Sequence, residues 1–211
     1  MRVIFIIILA FISSTIWAQS SSYITQMEHA VAVFEQVDSK RNYQSNLQEF
    51  EQISLSYPTE WLPIYYAALL KTKMCSLKMG DPDLLADQAI SLVQKAKKLQ
   101  VNNDELLCAE SIAYAAKMAI KPMLRWLQFE HKIKAPLVAV KKINKDNPSV
   151  YVLEAILQYR MPVLLGGGCA KAYPLAVIAM QKLQVQAKQS RSYILPHWGH
   201  GLINEMLSAC K

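Results

Sequence analysis

One recurring unit, a helix followed by a proline-containing turn and a second helix, restricts the fold of this chain more than any other feature. Its clearest copy is Asn46–Leu70. Apolar side chains in its first half recur at helical spacing, which predicts an amphipathic helix. Pro58 has no N–H donor and disfavours a helical conformation at Tyr57, so this helix is predicted to end there. Thr59 is expected to cap a second helix over Trp61–Met74, whose almost wholly apolar sequence predicts burial between other helices.

The unit recurs with a period of about 45 residues. The shared pattern is a small or apolar residue, an apolar residue four positions later, another three later, and a turn residue five after that. It occurs at Asn46/Phe50/Ile53/Pro58, Ala89/Val93/Ala96/Val101 and Pro136/Val140/Ile143/Pro148. Because one amphipathic hairpin cannot bury its apolar face alone, the repeat predicts an all-α stack of antiparallel helical hairpins.

This spacing resembles the second helix and closing proline of tetratricopeptide repeats, whose period is about 34 residues. The next helices partly match the first-helix pattern of that family, at Ile64/Ala68/Lys71 and Leu107/Ser111/Tyr114. More narrowly, three stretches together resemble small exported bacterial tetratricopeptide repeat-like (TPR-like) proteins: Tyr57–Ala68, Gly166–Gly168 followed by Lys171-Ala172, and Pro196–Gly199. The resemblance covers most of Tyr23–Leu183 and implies a right-handed TPR-like α-solenoid with degenerate repeats. It brings no catalytic activity with it. The longer period, and Gln158 at a position where the family has a small residue, depart from the family pattern.

Gly80 is expected to end one helix, and Asp81 and Pro82 to start the next as its cap and first helical position. Such breaker residues divide the rest of the chain into further predicted helices. These are Tyr23–Val37, Asp83–Gln100, Glu105–Ile120, Val150–Tyr159 with Ser149 as its cap, Lys171–Ala187 and Leu202–Cys210. The segment Lys121–Ala135, bracketed by prolines, is predicted to be a longer connection with some helical content. Gly166–Gly168 is expected to be a flexible join, since neither a preceding strand nor a following Gly-Lys-Ser/Thr supports a phosphate loop.

The first eighteen residues have the three-part form of a secretory signal, with Arg2, an apolar run Val3–Ile12 and small residues leading to Ala18. The apolar run is about half the length that a membrane span needs. We therefore predict cleavage after Ala18 and a single domain over residues 19–211, in the periplasm or secreted, without a stable membrane span. Cleavage removes only Arg2 among the charged residues, which lowers the formal net charge from +7 to +6. The lysines are scattered along the helices, which favours a solvated face over a nucleic-acid-binding patch.

The four cysteines do not have the spacing of a disulfide framework. Cys75 and Cys108 lie in apolar helical context, where a small buried thiol is common. Cys169 and Cys210 are the one pair that we consider for a disulfide, and the sequence leaves open whether they pair.

Candidate chemistry is sparse. His197 and His200 are three positions apart and could share a metal on a helical turn, but Glu205 is the one further ligand nearby in sequence. No cysteine lies in a catalytic signature. We expect no catalytic, cofactor-binding or metal-binding residues and no enzymatic activity, although an enzyme of unrecognised type stays open.

Tyrosines cluster on the predicted first helices of successive hairpins, which line the concave side of a stacked array. Exposed tyrosines there would offer apolar area and a hydroxyl to a peptide, whereas buried ones would fill the core between hairpins. The peptide-binding candidates are Tyr65, Tyr66, Tyr114, Tyr151 and Tyr159. The leading hypothesis is a non-enzymatic exported scaffold that binds a protein or peptide partner. The alternative is an envelope protein that binds a metal or small ligand through the His197/His200 turn.

Overall fold

The computed structural model describes residues 21–36, 40–189 and 191–210, so the predicted signal peptide lies outside the described residues. Within these ranges the chain forms nine α-helices and a short 3-10 helix, Val163–Leu165. The helices are α1 (residues 21–35), α2 (Lys40–Ser56), α3 (Leu62–Ser76), α4 (Pro82–Leu99), α5 (Asp104–Ala119), α6 (Pro122–Ile143), α7 (Pro148–Arg160), α8 (Cys169–Ala187) and α9 (His200–Ala209).

The first eight helices pack as four sequential antiparallel hairpins, α1/α2 to α7/α8, and α9 packs against α8 and α7. The first helices of hairpins two to four are also neighbours, α3 beside α5 and α5 beside α7. The predicted all-α hairpin arrangement is therefore confirmed at this level. Among the described residues, no helix is both long and apolar enough to cross a membrane.

Side-chain caps and prolines set several helix starts. The Asp81 carboxylate accepts hydrogen bonds from the backbone N–H groups of Asp83 and Leu84, and Pro82 occupies the first helical position of α4. Asn147 caps α7 in the same way through the N–H of Ser149, so the prediction that Ser149 itself is the cap was wrong. An asparagine two positions earlier reaches the free N–H groups because Pro148 already starts the helix.

Two other local predictions were also wrong. Thr59 does not cap α3, which begins at Leu62 without a side-chain cap. The segment Lys121–Ala135 was predicted to be a longer connection with some helical content, but from Pro122 onward it belongs to one continuous helix, α6, that includes Pro136. Pro136 is buried, and one turn before it the Ser111 hydroxyl of α5 donates to the carbonyl of Ile133 at 2.8 Å. Packing against α5 thus holds a helix that local sequence would break.

Small residues let the helices approach closely. Ala172, Ala176 and Ala179 of α8 are fully buried against α7 and α9, as their spacing predicted. The apolar core divides into three clusters, centred on the first two hairpins, on α5 to α7, and on α7 to α9. Trp198, just before α9, packs against all three clusters, so one side chain connects the beginning and the end of the array.

Candidate functional site

A groove of about 1660 Å³ runs along the first helices of the hairpins. Its floor comes from α3, α5 and α7, one wall from α6, and the other from α9 and the segment before it. Most lining side chains are apolar, with Ile112, Trp126, Leu157 and Met161 among those that are only partly buried. A large concave surface with an apolar lining and few polar groups is the usual form of a small-molecule site.

The wall before α9 is a strap, residues 191–199, that crosses from the last hairpin to the first. The Tyr66 hydroxyl donates to the carbonyl of Ile194 at 2.9 Å, and the Trp198 indole N–H donates to the Tyr65 hydroxyl at 2.9 Å. At the far side, Glu35 of α1 accepts a hydrogen bond from the Tyr193 hydroxyl at 2.5 Å. That hydrogen bond, together with partial burial of the hydroxyl, raises the pKa of Tyr193 to about 12. The strap therefore fixes the groove wall through contacts with α1 and α3.

The disulfide between Cys169 and Cys210 holds the other end of this wall. It joins the start of α8 to the residue after α9, with the two Cα atoms 5.1 Å apart. The pair that the sequence left open is thus bonded in the structure. Cys75 and Cys108 are buried free thiols, as predicted, and burial raises the pKa of each.

Most charged groups of the groove are already paired. His197 contacts Glu35, Lys134 bonds Glu130 at 2.5 Å, and Lys141 bonds the groove residue Glu154 at 2.7 Å. Within the described part of the chain, the lining groups without an ion pair are Lys73, Arg160, His200 and Glu205.

The two unpaired cations, Lys73 and Arg160, lie in the last turns of α3 and α7. The starts of α3, α5 and α7 lie together, because Glu105 at the start of α5 is bonded to Tyr65 and Ser149 near the starts of the other two helices. The ends of these parallel helices therefore also share one end of the groove. This end carries two free positive charges beside an apolar lining, which suits a ligand with an apolar body and anionic groups.

Comparison with known proteins gives a match among solved structures. No family model matches the chain, and no curated protein matches it. A solved structure, the HusA haemophore from Porphyromonas gingivalis, superposes with a TM-score of 0.77 and 28% sequence identity, covering 90% of this chain and 92% of that chain. The chain has a HusA-like fold. The resemblance to helical repeat proteins agrees with this fold in that helical hairpins pack in sequence order, and the structural match is to HusA.

The predicted tyrosines divide between the core and the groove of this HusA-like fold. Tyr65 and Tyr66 are buried, 0% and 2% exposed, and burial raises the pKa of both. Tyr66 and Tyr159 line the groove, and Tyr159 is 41% exposed. Tyr114 and Tyr151 are half-buried outside the groove, each with a lysine over its ring. Tyr65 and Tyr66 therefore fill the core, as one of the two interpretations from sequence had it. Peptide binding by the five tyrosines stays a prediction.

The two histidines of the predicted pair, His197 and His200, have different surroundings. Both ring nitrogens of His197 are engaged, Nδ1 with the carbonyl of Leu195 at 2.7 Å and Nε2 with Glu35. His200 lines the groove, and its ring makes no hydrogen bond with another described residue. No group of three or more histidine, cysteine or acidic side chains among the described residues is arranged to hold a metal ion.

Sequence reasoning missed Lys73, Arg160 and the strap. A partial signal for the two cations was their place in the last turn of the first helix of a hairpin, although Lys73 lies 15 positions after Pro58 and Arg160 lies 12 after Pro148. No such signal marked the strap, whose contact between Glu35 and His197 joins residues 162 positions apart.

Proposed function

We propose that this chain is an exported, non-enzymatic binding protein that carries a haem-type tetrapyrrole in the groove. The observation that carries the proposal is the apolar groove with two free cations at one end, in a chain similar to a protein described as a haemophore. A tetrapyrrole of this type is a flat, largely apolar ring with carboxylate groups on one edge. Its ring suits the apolar lining, and its carboxylates suit Lys73 and Arg160.

The alternative hypothesis from sequence was that a metal or small ligand binds at the His197/His200 turn. The present proposal keeps the small ligand and places it in the groove. Ligand binding is assigned to the whole groove, and His200 is its one imidazole without a hydrogen bond to a described residue. His197 serves the strap through Glu35. The similarity to a haemophore also supports the predicted export, since the sequence independently predicts a secretory signal.

Binding is tested by titrating the purified mature chain with haem, and separately with metal-free protoporphyrin, and following the absorption spectrum of each. The two titrations separate recognition of the ring from recognition of the iron. Saturable binding of either compound at one equivalent supports the proposal. Failure of both to bind would overturn it.

A charge placed in the groove should block the ligand. Ala119 closes α5 in the groove, between the helix ends that carry Lys73 and Arg160. Ala119→Glu puts a carboxylate beside these cations and in the path of the ligand carboxylates, so we expect affinity to fall about tenfold or more. The matched control is Ala170→Glu, an exposed alanine of α8 outside the groove, which should bind as the wild type does. Equal affinities for both variants would place the ligand elsewhere.

A peptide in the same groove is the second candidate, favoured by the exposed ring of Tyr159 at its edge. A protein or peptide partner was the leading hypothesis from sequence, and the right-handed solenoid with a concave binding face remains part of this candidate. Recovery of a discrete envelope peptide by crosslinking, displaced by neither porphyrin, would favour it over the tetrapyrrole.

A further inference from the structure

Four exposed aliphatic side chains lie at or next to the junction between the two helices of the third and fourth hairpins. Leu124 and Leu127 lie in the first two turns of α6, and Val163 and Leu164 lie in the 3-10 helix between α7 and α8. Their exposed fractions are 80%, 90%, 78% and 99%. None of the four lines the groove. Exposed apolar side chains gathered in one region mark an interaction site more often than scattered ones do.

These residues share one edge of the molecule. The starts of α3, α5 and α7 are joined through Glu105, so the turns that follow the ends of these helices all lie at the opposite edge. We call this the tip edge, defined as residues 77–81, 120–127 and 161–171. It brings the four protruding aliphatic residues from two hairpins into one row.

The tip edge also carries cations that are not neutralised. Lys78, Lys121 and Lys171 are exposed and form no ion pair within the described part of the chain. The acidic residue of this edge is Asp81, whose carboxylate is already bonded to two backbone N–H groups as the cap of α4.

The acids next to this edge are neutralised by neighbours. Asp83 and Asp87 are bonded to Lys117 at 2.8 Å, and Asp83 also to Arg125 at 2.7 Å. These bonds hold the pKa of the Asp83 carboxyl well below its usual range, with the Arg125 hydrogen bond as the main cause. The free charge of the tip edge is therefore positive.

We propose that the tip edge docks onto an anionic lipid surface. Protruding aliphatic side chains can enter the boundary between headgroups and acyl chains, while flanking lysines contact anionic headgroups. A lipid surface fits better than a folded protein partner, because the four aliphatic side chains are exposed outside the groove beside lysines that form no ion pair within the described part of the chain.

Docking at this edge would also place the groove mouth against the lipid. Met123 and Leu165 line the groove and are 96% and 68% exposed at the same edge. An apolar ligand could then pass between groove and bilayer with little exposure to water. This consequence rests on the proposed function, whereas the docking itself does not.

Co-sedimentation of the mature chain with vesicles tests the docking. We expect binding to vesicles of phosphatidylcholine with added phosphatidylglycerol, and about tenfold weaker binding to phosphatidylcholine alone. The double variant Leu124→Ser/Leu164→Ser should lose about tenfold in affinity for the anionic vesicles. Its matched control is Leu55→Ser/Val101→Ser, two side chains that are 77% and 72% exposed at the opposite edge, and this variant should bind like the wild type.

The cations are tested in the same assay. Lys78→Gln/Lys121→Gln/Lys171→Gln should remove most of the preference for anionic vesicles, whereas Lys145→Gln/Lys188→Gln at the opposite edge should keep it. All these positions lie outside the groove lining, so porphyrin binding by the same variants reports separately on the proposed function. The docking proposal is overturned if the wild type ignores anionic vesicles, or if the tip-edge and control variants bind alike. Self-association or capture of a protein through this edge, without vesicle binding, would overturn it as well.

Discussion

At the scale of single residues, Glu105 is the most unusual group in the core. Its carboxylate accepts hydrogen bonds from Asn147 at 2.8 Å, from Ser149 at 3.1 Å and from Tyr65 at 3.2 Å. Burial raises its pKa to about 7, with the nearby charge of Asp104 adding to the rise and the three hydrogen bonds opposing it. One ionisable group thus connects the starts of α3, α5 and α7.

The stability of the fold should depend on the protonation of this group. An unfolded glutamate titrates near 4.5, so between that pH and about 7 the folded chain binds the proton more tightly than the unfolded chain. The free energy of unfolding should therefore fall as the pH rises through this window, by at most about 3 kcal/mol. Glu105→Gln should remove this component, as measured by urea denaturation at a series of pH values.

Glu205→Gln is the control for that experiment, because Glu205 is exposed and makes no ion pair with a described residue. Its pH profile should follow the wild type. A Glu105→Gln profile with the same slope as the wild type would show that Glu105 does not titrate in this window.

Individual residues were predictable from sequence where burial follows from type and context. Cys75 and Cys108 were placed in the core correctly because both lie in apolar helices. Glu105 was not recognised, because an acidic residue in the first turn of a helix ordinarily indicates a solvent-exposed position near the helix dipole. Its burial depends on Asn147 and Ser149, more than forty positions later in the chain.

At the scale of elements, the strap connects parts of the core that the hairpins leave separate. Trp198→Phe removes the 2.9 Å hydrogen bond to Tyr65 and part of the contact with all three clusters. We expect the free energy of unfolding to fall by about 2 kcal/mol, measured by urea denaturation.

Trp126→Phe provides the comparison, since Trp126 is also half-buried and lines the groove, with the Lys134 ammonium 5.6 Å from its ring. Its loss should stay below about 1 kcal/mol. Equal losses in the two variants would mean that the strap adds no more to stability than an ordinary groove residue does.

Helices were predicted well where turn chemistry is local. Asp81 and Pro82 start α4 as its cap and first helical position, as their residue types predict. Gly80 does not end the preceding helix, because α3 already ends at Ser76 and Lys78 has the positive φ that follows it.

The continuity of helix α6 was missed because Pro122 and Pro136 indicate interruption, whereas Pro122 occupies the first helical position and Pro136 is held by tertiary packing. Local sequence contains the turn chemistry that starts a helix, but it does not contain the tertiary packing that holds a proline inside one.

At the scale of the whole molecule, the disulfide should stabilise the groove wall. The bond between Cys169 and Cys210 closes a loop with a sequence separation of 41. Chain-entropy reasoning for a loop of this length gives about 4 kcal/mol, so reduction should lower the denaturation midpoint substantially. The double variant Cys169→Ser/Cys210→Ser should show the lower midpoint at once and should not respond to reductant. The four samples are the wild type and the double variant, each with and without reductant. An equal midpoint in all four would show that the bond does not constrain the unfolded chain.

The stack of hairpins followed from the repeat, but the groove did not. A repeat reports which faces of neighbouring helices are apolar, and it says nothing about a segment that returns across the array. The strap from residue 191 to residue 199 creates one wall by contacts over more than a hundred positions, as between Tyr66 and Ile194. The candidate site is therefore recognised only when the whole chain is considered in three dimensions.

The position of the strap late in the sequence affects the order in which the molecule folds. Each hairpin closes on near neighbours and can form quickly, whereas bringing residues 191–199 onto α1 has a high contact order and is intrinsically slow. A polypeptide that crosses a membrane with its N-terminus leading would acquire its helices in sequence and its finished pocket last. If the groove binds the proposed ligand, capture would begin only after residues 191–199 have docked on α1, because the groove wall is completed last.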